Sequence, residues 1–230
     1  MEKISQLMFK IKRKIVKLRF QPIRVFCLHH VCERFDADTM YSYDWIELND
    51  FKFKINKLKE QGYKFINIKA AYQHLQFDVI RTQKYVVLTF DDGYKSLNEV
   101  IPWLLDQKIP FTLFINGKYL DGQTFRENPN EQYLTYDEVF ALDSDLVTIG
   151  HHGWEHTSVI DMSKQELLDS LELNRSLLSQ HPCYVPFWAY TWGKYSQESH
   201  SILSSENVIP VLIDGIKNYR WSGKIDREFL

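Results

Sequence analysis

Two acids at the end of an apolar run are the first residues in this chain whose placement suggests chemistry. Tyr85-Val86-Val87-Leu88-Thr89-Phe90 leads directly into Asp91-Asp92-Gly93. In α/β sheets and barrels, loops at the carboxyl ends of strands gather catalytic groups from different strands. Neighbouring residues on a regular strand face opposite ways, so both carboxylates serve one site only where the backbone bends, and Gly93 permits that bend. Two carboxylates held close in a semi-buried place raise one pKa unless a cation neutralises the pair. A bound metal would do so, leaving one acid as ligand and the other as base. Standing alone, Asp-Asp-Gly reads equally well as a solvated turn.

A second apolar run, Leu146-Val147-Thr148-Ile149-Gly150, is followed by His151, His152, Gly153, Trp154, Glu155 and His156. His152 and His156 are four apart, close enough for both imidazoles to reach one ion on a helix or tight turn. Two histidines and a carboxylate, with remaining positions open to water, make a hydrolytic site for zinc or another first-row divalent ion. The same letters fit the inverted zinc-protease pattern H-x-x-E-H. That pattern needs a regular helix, whereas Gly150 and Gly153 flank the first histidine as in a loop after a strand, and it would leave Asp91 and Asp92 without a role.

With both motifs in hand, the chain resembles the polysaccharide deacetylase family, also known as carbohydrate esterase family 4 or the NodB homology domain, over residues 24–230. Thr89-Phe90-Asp91-Asp92-Gly93 matches the family's first motif in full. His152 to His156 matches its second, H-(S/T)-x-x-H, with Gly153 in place of the hydroxyl residue. The resemblance implies a metal-dependent hydrolase that removes acetyl groups, N-acetyl above all, from a polysaccharide or glycoconjugate. It implies Asp91 as the base that activates water, and Asp92, His152 and His156 as ligands of a divalent metal, zinc first, with cobalt or nickel as alternatives. His151 falls outside the match and is expected either to support the metal ligands from behind or to be structural.

Two departures from the family pattern stand out. The third motif, usually R-x-P-x-G, reads Ala189-Tyr190-Thr191-Trp192-Gly193 here, so Ala189 stands where an arginine orients the base. Members similar to exopolysaccharide deacetylases read F-A-Y-P-Y-G at this place, which accommodates Ala189 but not Thr191 in place of proline. Trp192 and Tyr190 are candidates for binding substrate, Trp192 also for offering its backbone N–H to an oxyanion. Trp188 and Tyr190 could as well pack a strand end. The family's late Leu-x-His, source of the general acid, has no counterpart after His200. Cys27-Leu28-His29-His30-Val31 resembles the H-x-V segment of permuted members, where a histidine from the first strand takes that role; His29 is preferred over His30.

The elements that must position these groups alternate short β-branched or aromatic runs with helical patterns, as repeated βα units do. Strands are expected at 25–30, 65–68, 85–90, 111–115, 146–149, 184–190 and 208–213, several of them apolar enough to be covered on both faces. Leu48, Phe51, Ile55 and Leu58 trace one helix face that Gly62 can end. Further helices are expected over 97–107, 135–142 and 163–179, the last opened by Ser163 and Glu166 as a capping box. Residues 117–133 read as a long loop. The sum is an α/β fold, a distorted (β/α)7-type barrel in a single domain.

The formal net charge of −2 over 230 residues gives no electrostatic footprint for nucleic acid, and the expected partner is an acetylated glycan. Cys27, Cys32 and Cys183 are an odd set without small-scaffold spacing, so no disulfide framework is expected, and a zinc knuckle at Cys27–Cys32 lacks a second ligand pair. Residues 1–24 carry eight Lys or Arg against one Glu. With Ile4, Leu7, Met8, Ile11, Ile15 and Leu18 at helical intervals, they read as a basic amphipathic helix over 1–23. Peripheral contact with an anionic membrane through residues 1–20 and packing on the domain are equally open. No secretory signal is read, and a cytoplasmic location is expected. Two other readings stay open: a non-catalytic carbohydrate-binding protein of the same fold, and a deacetylase of a small lipid- or nucleotide-linked sugar.

Overall fold

The structure, a computed structural model, describes residues 21–38, 40, 43–77, 81–122, 131–142 and 145–230. The basic stretch through residue 20 lies outside the described residues, as do 123–130 of the long loop. Ile23, assigned by pattern to the N-terminal helix, already opens the first strand. Among the described residues no helix is long and apolar enough to cross a membrane.

One sheet carries the barrel: β1 (Ile23–Leu28), β4 (Tyr63–Phe65), β5 (Lys84–Phe90), β6 (Phe111–Ile115), β7 (Val147–His151), β8 (Tyr184–Ala189), β9 (Ile209–Leu212), β10 (Ile225–Asp226) and β11 (Glu228–Phe229). A separate pair, β2 (His30–Cys32) and β3 (Trp45–Glu47), stands beside it. The ladders are all parallel, and from β5 through β9 each strand lies next to its successor. On one edge of β5, β4 lies along the first half and β6 along the second, while β1 runs along the other edge. At the far end β10 pairs with β9, and after Arg227 alone β11 pairs with β1. The run from Ile225 to Phe229 thus joins the last strand to the first and nearly closes the distorted (β/α)7-type barrel. Arg24 of β1 grips Glu228 of β11 with two hydrogen bonds, of 2.7 and 3.1 Å.

Helices α1 (Leu48–Glu60), α2 (Ile68–Phe77), α3 (Ile101–Asp106), α4 (Tyr136–Phe140), α5 (Lys164–Leu178) and α6 (Gln197–Ser205) complete the units. Several ends follow the expected chemistry. Thr135 with Glu138 and Ser163 with Glu166 form capping boxes at α4 and α5. The helix expected over 97–107 is instead a 3-10 turn (Lys95–Glu99) followed by α3, because Pro102 has no N–H for the preceding turn and is suited to a helix start. The strand expected at 65–68 lies two to three residues earlier, and Ile68 opens α2. The pattern analysis missed α2 and α6, and the short strands β2, β3, β10 and β11.

Period-2 alternation sets up the barrel interior. Val86, Leu88 and Phe90 of β5 face one apolar cluster with Leu48, Phe51, Ile55 and Leu58 of α1. Val87 faces a second cluster, with Val25, Phe114, Phe187, Val211 and Ile225 from five other strands. The next inward positions along those strands include Cys27, Thr89 and Arg227, so the polar layer of the site rests on this apolar one. Gly150 sits in the interior where a ring and a neighbouring backbone need the room: a Cβ there would meet Phe114 Cε1 and the Phe187 carbonyl oxygen, each at 2.8 Å. Gly150→Ala is therefore expected to destabilise the fold by about 1–3 kcal/mol through overpacking. Urea unfolding measures it, and an unchanged midpoint would mean that the interior is not packed as described.

Candidate active site

Four loops at the carboxyl ends of the strands bring the sequence-defined groups together around one cleft. At the end of β5, Asp91 N–H donates to Leu28 O (2.9 Å) and Gly93 N–H to Asp91 O (2.8 Å), which turns the chain sharply. The turn uses left-handed backbone at both Asp92 (φ 69°) and Gly93 (φ 77°). The expected bend is thus shared with a non-glycine residue. Any Cβ at Gly93 would press on Ile115 Cδ1 at 2.7 Å.

After β7 the chain loops through Gly153 (φ 84°) and reaches His156 with φ 59°. The His152–His156 segment is not helical, which removes the inverted-protease geometry. Two buried asparagines hold this loop. Asn116 Nδ2 donates to the carbonyls of His152 (2.6 Å) and Gly153 (3.1 Å), and Asn174 Nδ2 to those of Ile115 (3.1 Å) and Gly153 (3.2 Å). Sequence reasoning singled out neither residue; an isolated Asn inside an amphipathic helix such as α5 is the faint signal that was available.

The three expected ligands converge. Asp92 Oδ1 lies 3.1 Å from His156 Nε2 and 3.5 Å from His152 Nε2. Bonds of about 2.0–2.1 Å at a tetrahedral angle put ligand atoms about 3.3 Å apart, so the donor set fits a zinc-sized ion. His152 Nδ1 hydrogen-bonds the Ala189 carbonyl at 2.9 Å, which leaves the Nε2 lone pair facing the site. Burial pushes the His152 pKa down, against Asp91 and Asp92, and favours the neutral, ligating imidazole. The motif with the missing arginine thus contributes through its backbone. Thr191, in the unusual position, donates its hydroxyl to the His152 carbonyl (3.2 Å) and braces the same residue.

Asp91 is not left without a cation. Arg227 Nη1 and Nη2 donate to its two oxygens at 2.5 and 2.8 Å, with both side chains essentially withdrawn from water. Nη1 also reaches Thr89 Oγ1 (3.1 Å), Nε reaches the Leu212 carbonyl (3.2 Å), and the guanidinium lies over the Phe114 ring. Burial alone would raise the Asp91 pKa; the Arg227 guanidinium outweighs it and holds the carboxyl below its usual range, hence ionised at neutral pH. Arg227 escaped the sequence analysis because Ile225–Phe229 is too short to read as a strand. The available signal was Ala189 itself, which required the missing cation to come from elsewhere.

The remaining candidates separate cleanly. His29 lines the cleft with Asp91, Asp92, His152, His156 and Trp192, and its Nδ1 lies 3.8 Å from Asp44 Oδ1. His30 is buried, stacked on Tyr94 at 3.8 Å and bonded to Ser96 Oγ (2.9 Å), and it does not line the cleft. Trp192, at φ 54°, is 62% exposed at the cleft edge, its ring edge-on to His156 at 5.0 Å. Tyr190, placed by sequence among the substrate-binding candidates, is fully buried: its ring stacks on Tyr195, its N–H donates to Val211 O, and it supports the wall from behind. His151 is buried on Tyr184 OH (2.8 Å), and burial lowers its pKa to about 3, as a structural, neutral imidazole requires. The cleft encloses about 1070 Å³, the upper end of the range for small-ligand pockets and above.

With this geometry established, comparison with known proteins is decisive at one point: the polysaccharide deacetylase family model matches residues 78–208, more than half of the chain. The chain belongs to the polysaccharide deacetylase family. The family is one of hydrolases. YxkH of Bacillus subtilis (strain 168), a protein named for the same family, is 24% identical over 155 residues, 65% of this chain and 52% of its own length. The chain thus spans about half the length of that curated relative. Solved structures similar to this deacetylase-family chain include IcaB from Ammonifex degensii (TM-score 0.74, 18% identity, 92% of this chain and 93% of that one). Similar values hold for the Streptococcus pyogenes deacetylase PplD in complex with acetate (0.74, 18%, 92% and 93%). The de-N-acetylase from Aggregatibacter actinomycetemcomitans gives 0.74 and 18%, over 91% of this chain and 95% of its own. At these identities the likeness is one of fold.

The Asp91–Arg227 pair yields a stability prediction. Arg227→Met is expected to cost about 3–5 kcal/mol, because it strands a buried carboxylate, and adding Asp91→Asn should restore part of that loss. Urea unfolding of the single and double variants checks it. A single-variant loss below about 1 kcal/mol, the level of an exposed pair, would mean that the two charges are solvated.

Proposed function

We propose that this protein is a metal-dependent deacetylase acting on an N-acetylated glycan. The observation that carries the reading is the convergence of Asp92, His152 and His156 at metal-ligand spacing beside Asp91, a carboxylate kept ionised by Arg227. A divalent ion held by the three ligands would supply Lewis acidity, polarising the acetyl carbonyl and easing ionisation of water. Zinc suits two imidazoles and one carboxylate, and cobalt or nickel can take the same donors.

Asp91 accepts the proton of the attacking water. Arg227 fixes its two oxygens and keeps the carboxylate ready, at some cost in basicity that position must offset. His29, whose Nδ1 lies 3.8 Å from Asp44 Oδ1, donates a proton to the departing sugar amine, otherwise a poor leaving group. The exposed Trp192 ring offers a platform for a sugar face, and its backbone N–H is the proposed oxyanion donor. An exopolysaccharide or cell-envelope glycan is the substrate class we favour, from the likeness of Ala189-Tyr190 to the third motif of exopolysaccharide deacetylases. For location we propose the inner face of a membrane, on the basic charge of residues 1–24 alone.

The test is acetate release from N-acetylglucosamine oligomers by metal-loaded protein. Asp91→Asn and His29→Ala are each expected to lower kcat about 10²–10⁴-fold with bound metal retained, the range of general acid–base contributions. His152→Ala should lose metal and activity together. Full activity in Asp91→Asn, or metal retained without loss in His152→Ala, would overturn the assignment.

A further inference from the structure

The inward layer of the barrel holds a second set of metal-ligating side chains, built around groups the proposed chemistry uses for proton transfer. Cys27, near the end of β1, places Sγ 3.5 Å from Asp91 Oδ2. His29 follows two residues on, towards the same side, and donor atoms of Cys27, His29 and Asp91 all lie within 4.8 Å of one another. The other two thiols are engaged elsewhere, Cys32 with the Arg34 carbonyl and Cys183 with His181. We infer that Cys27, His29 and Asp91 form a second divalent-metal site, selective for thiolate-binding ions such as zinc, and that filling it shuts the protein down.

The donor set favours that ion. One thiolate, one carboxylate and one neutral imidazole suit zinc or cobalt and exclude magnesium, which takes oxygen ligands. Arg227 does not preclude coordination, since each carboxylate oxygen has two lone pairs and can accept from arginine and ligate an ion as well. His29 is partly exposed and can swing the short distance that bond lengths of about 2.0–2.3 Å require. Binding releases to solvent the Cys27 thiol proton, and the His29 proton where that imidazole carries its second one, and forms the sulfur–metal and nitrogen–metal bonds. Burial and the neighbouring Asp91 keep that thiol protonated in the absence of metal.

The second site must be the weaker one. His152 Nε2 lies only 3.9 Å from Asp91 Oδ2, so an ion held by Asp92, His152 and His156 is its close neighbour and repels it, as Arg227 does. It fills after the first, and its occupant takes both Asp91 and His29, the base and the acid of the proposed reaction. The inhibitory half of the inference rests on the deacetylase reading; the binding half does not.

Cobalt titration of the metal-free full chain separates them. The first equivalent is expected to bring no thiolate-to-cobalt band in the near ultraviolet, and the second to bring one. Cys27→Ser, or Cys27→Ala if the serine variant misfolds, should bind the first equivalent and lack the band. Zinc beyond one equivalent should suppress acetate release by the unaltered protein, whereas the Cys27 variant, relative to its own rate, should need about 10- to 100-fold more, the least that a lost ligand costs. No band beyond one equivalent, a band that survives Cys27→Ser, or equal zinc sensitivity in the variant would overturn the inference. A protein that shows the band but releases no acetate under any metal would lose the deacetylase reading and keep the second site.

Discussion

Asp91 and Arg227 face each other inside the barrel, where neither charge has water, and each makes the other's burial tolerable. An unpaired ion in that layer would cost several kcal/mol or change its protonation. The arginine arrives on the segment that joins the last strand to the first, so closing the barrel and keeping the Asp91 carboxyl ionised are one structural event. The pair also explains how Ala189 can stand where the family usually has arginine: the guanidinium comes from the other side, and the Ala189 carbonyl is left to orient His152.

Around this pair the backbone is under local strain. Asp92, His156 and Trp192 all adopt left-handed φ values, although none is glycine, and all three lie at the cleft. Non-glycine residues hold such conformations only where surrounding contacts over-determine them. Here those contacts are the Asn116–Asn174 bonds to the second motif loop, Thr191 on the His152 carbonyl, and the Gly93 turn packed on Ile115. The strain aims side chains from adjacent residues at one point, which a regular strand cannot do.

Much of this was legible in the residues. Asp91-Asp92-Gly93 after an apolar strand and His152/His156 after another located the cleft, and the alternation of runs named the barrel. Less legible were elements whose identity depends on tertiary partners. β10 and β11 are two residues each and exist only because β9 and β1 offer free edges, so no periodicity could reveal them or Arg227. Ile68 looked like strand because β-branched and aromatic residues precede it, yet α2 begins there to cover the interior cluster. Tyr190 and Trp192 are near-identical in sequence context, and only burial separates the ring that packs from the ring that faces the cleft.

The proposed chemistry requires Asp92, His152 and His156 to take up one divalent ion between them. X-ray absorption at the zinc edge, on protein loaded with a single equivalent, probes that coordination shell without requiring turnover. Nitrogen and oxygen neighbours at about 2.0–2.1 Å are expected, with the outer-shell pattern of two imidazoles and no sulfur. A sulfur shell at about 2.3 Å with the first equivalent, or a spectrum lacking imidazole scattering, would rule out coordination by these three residues.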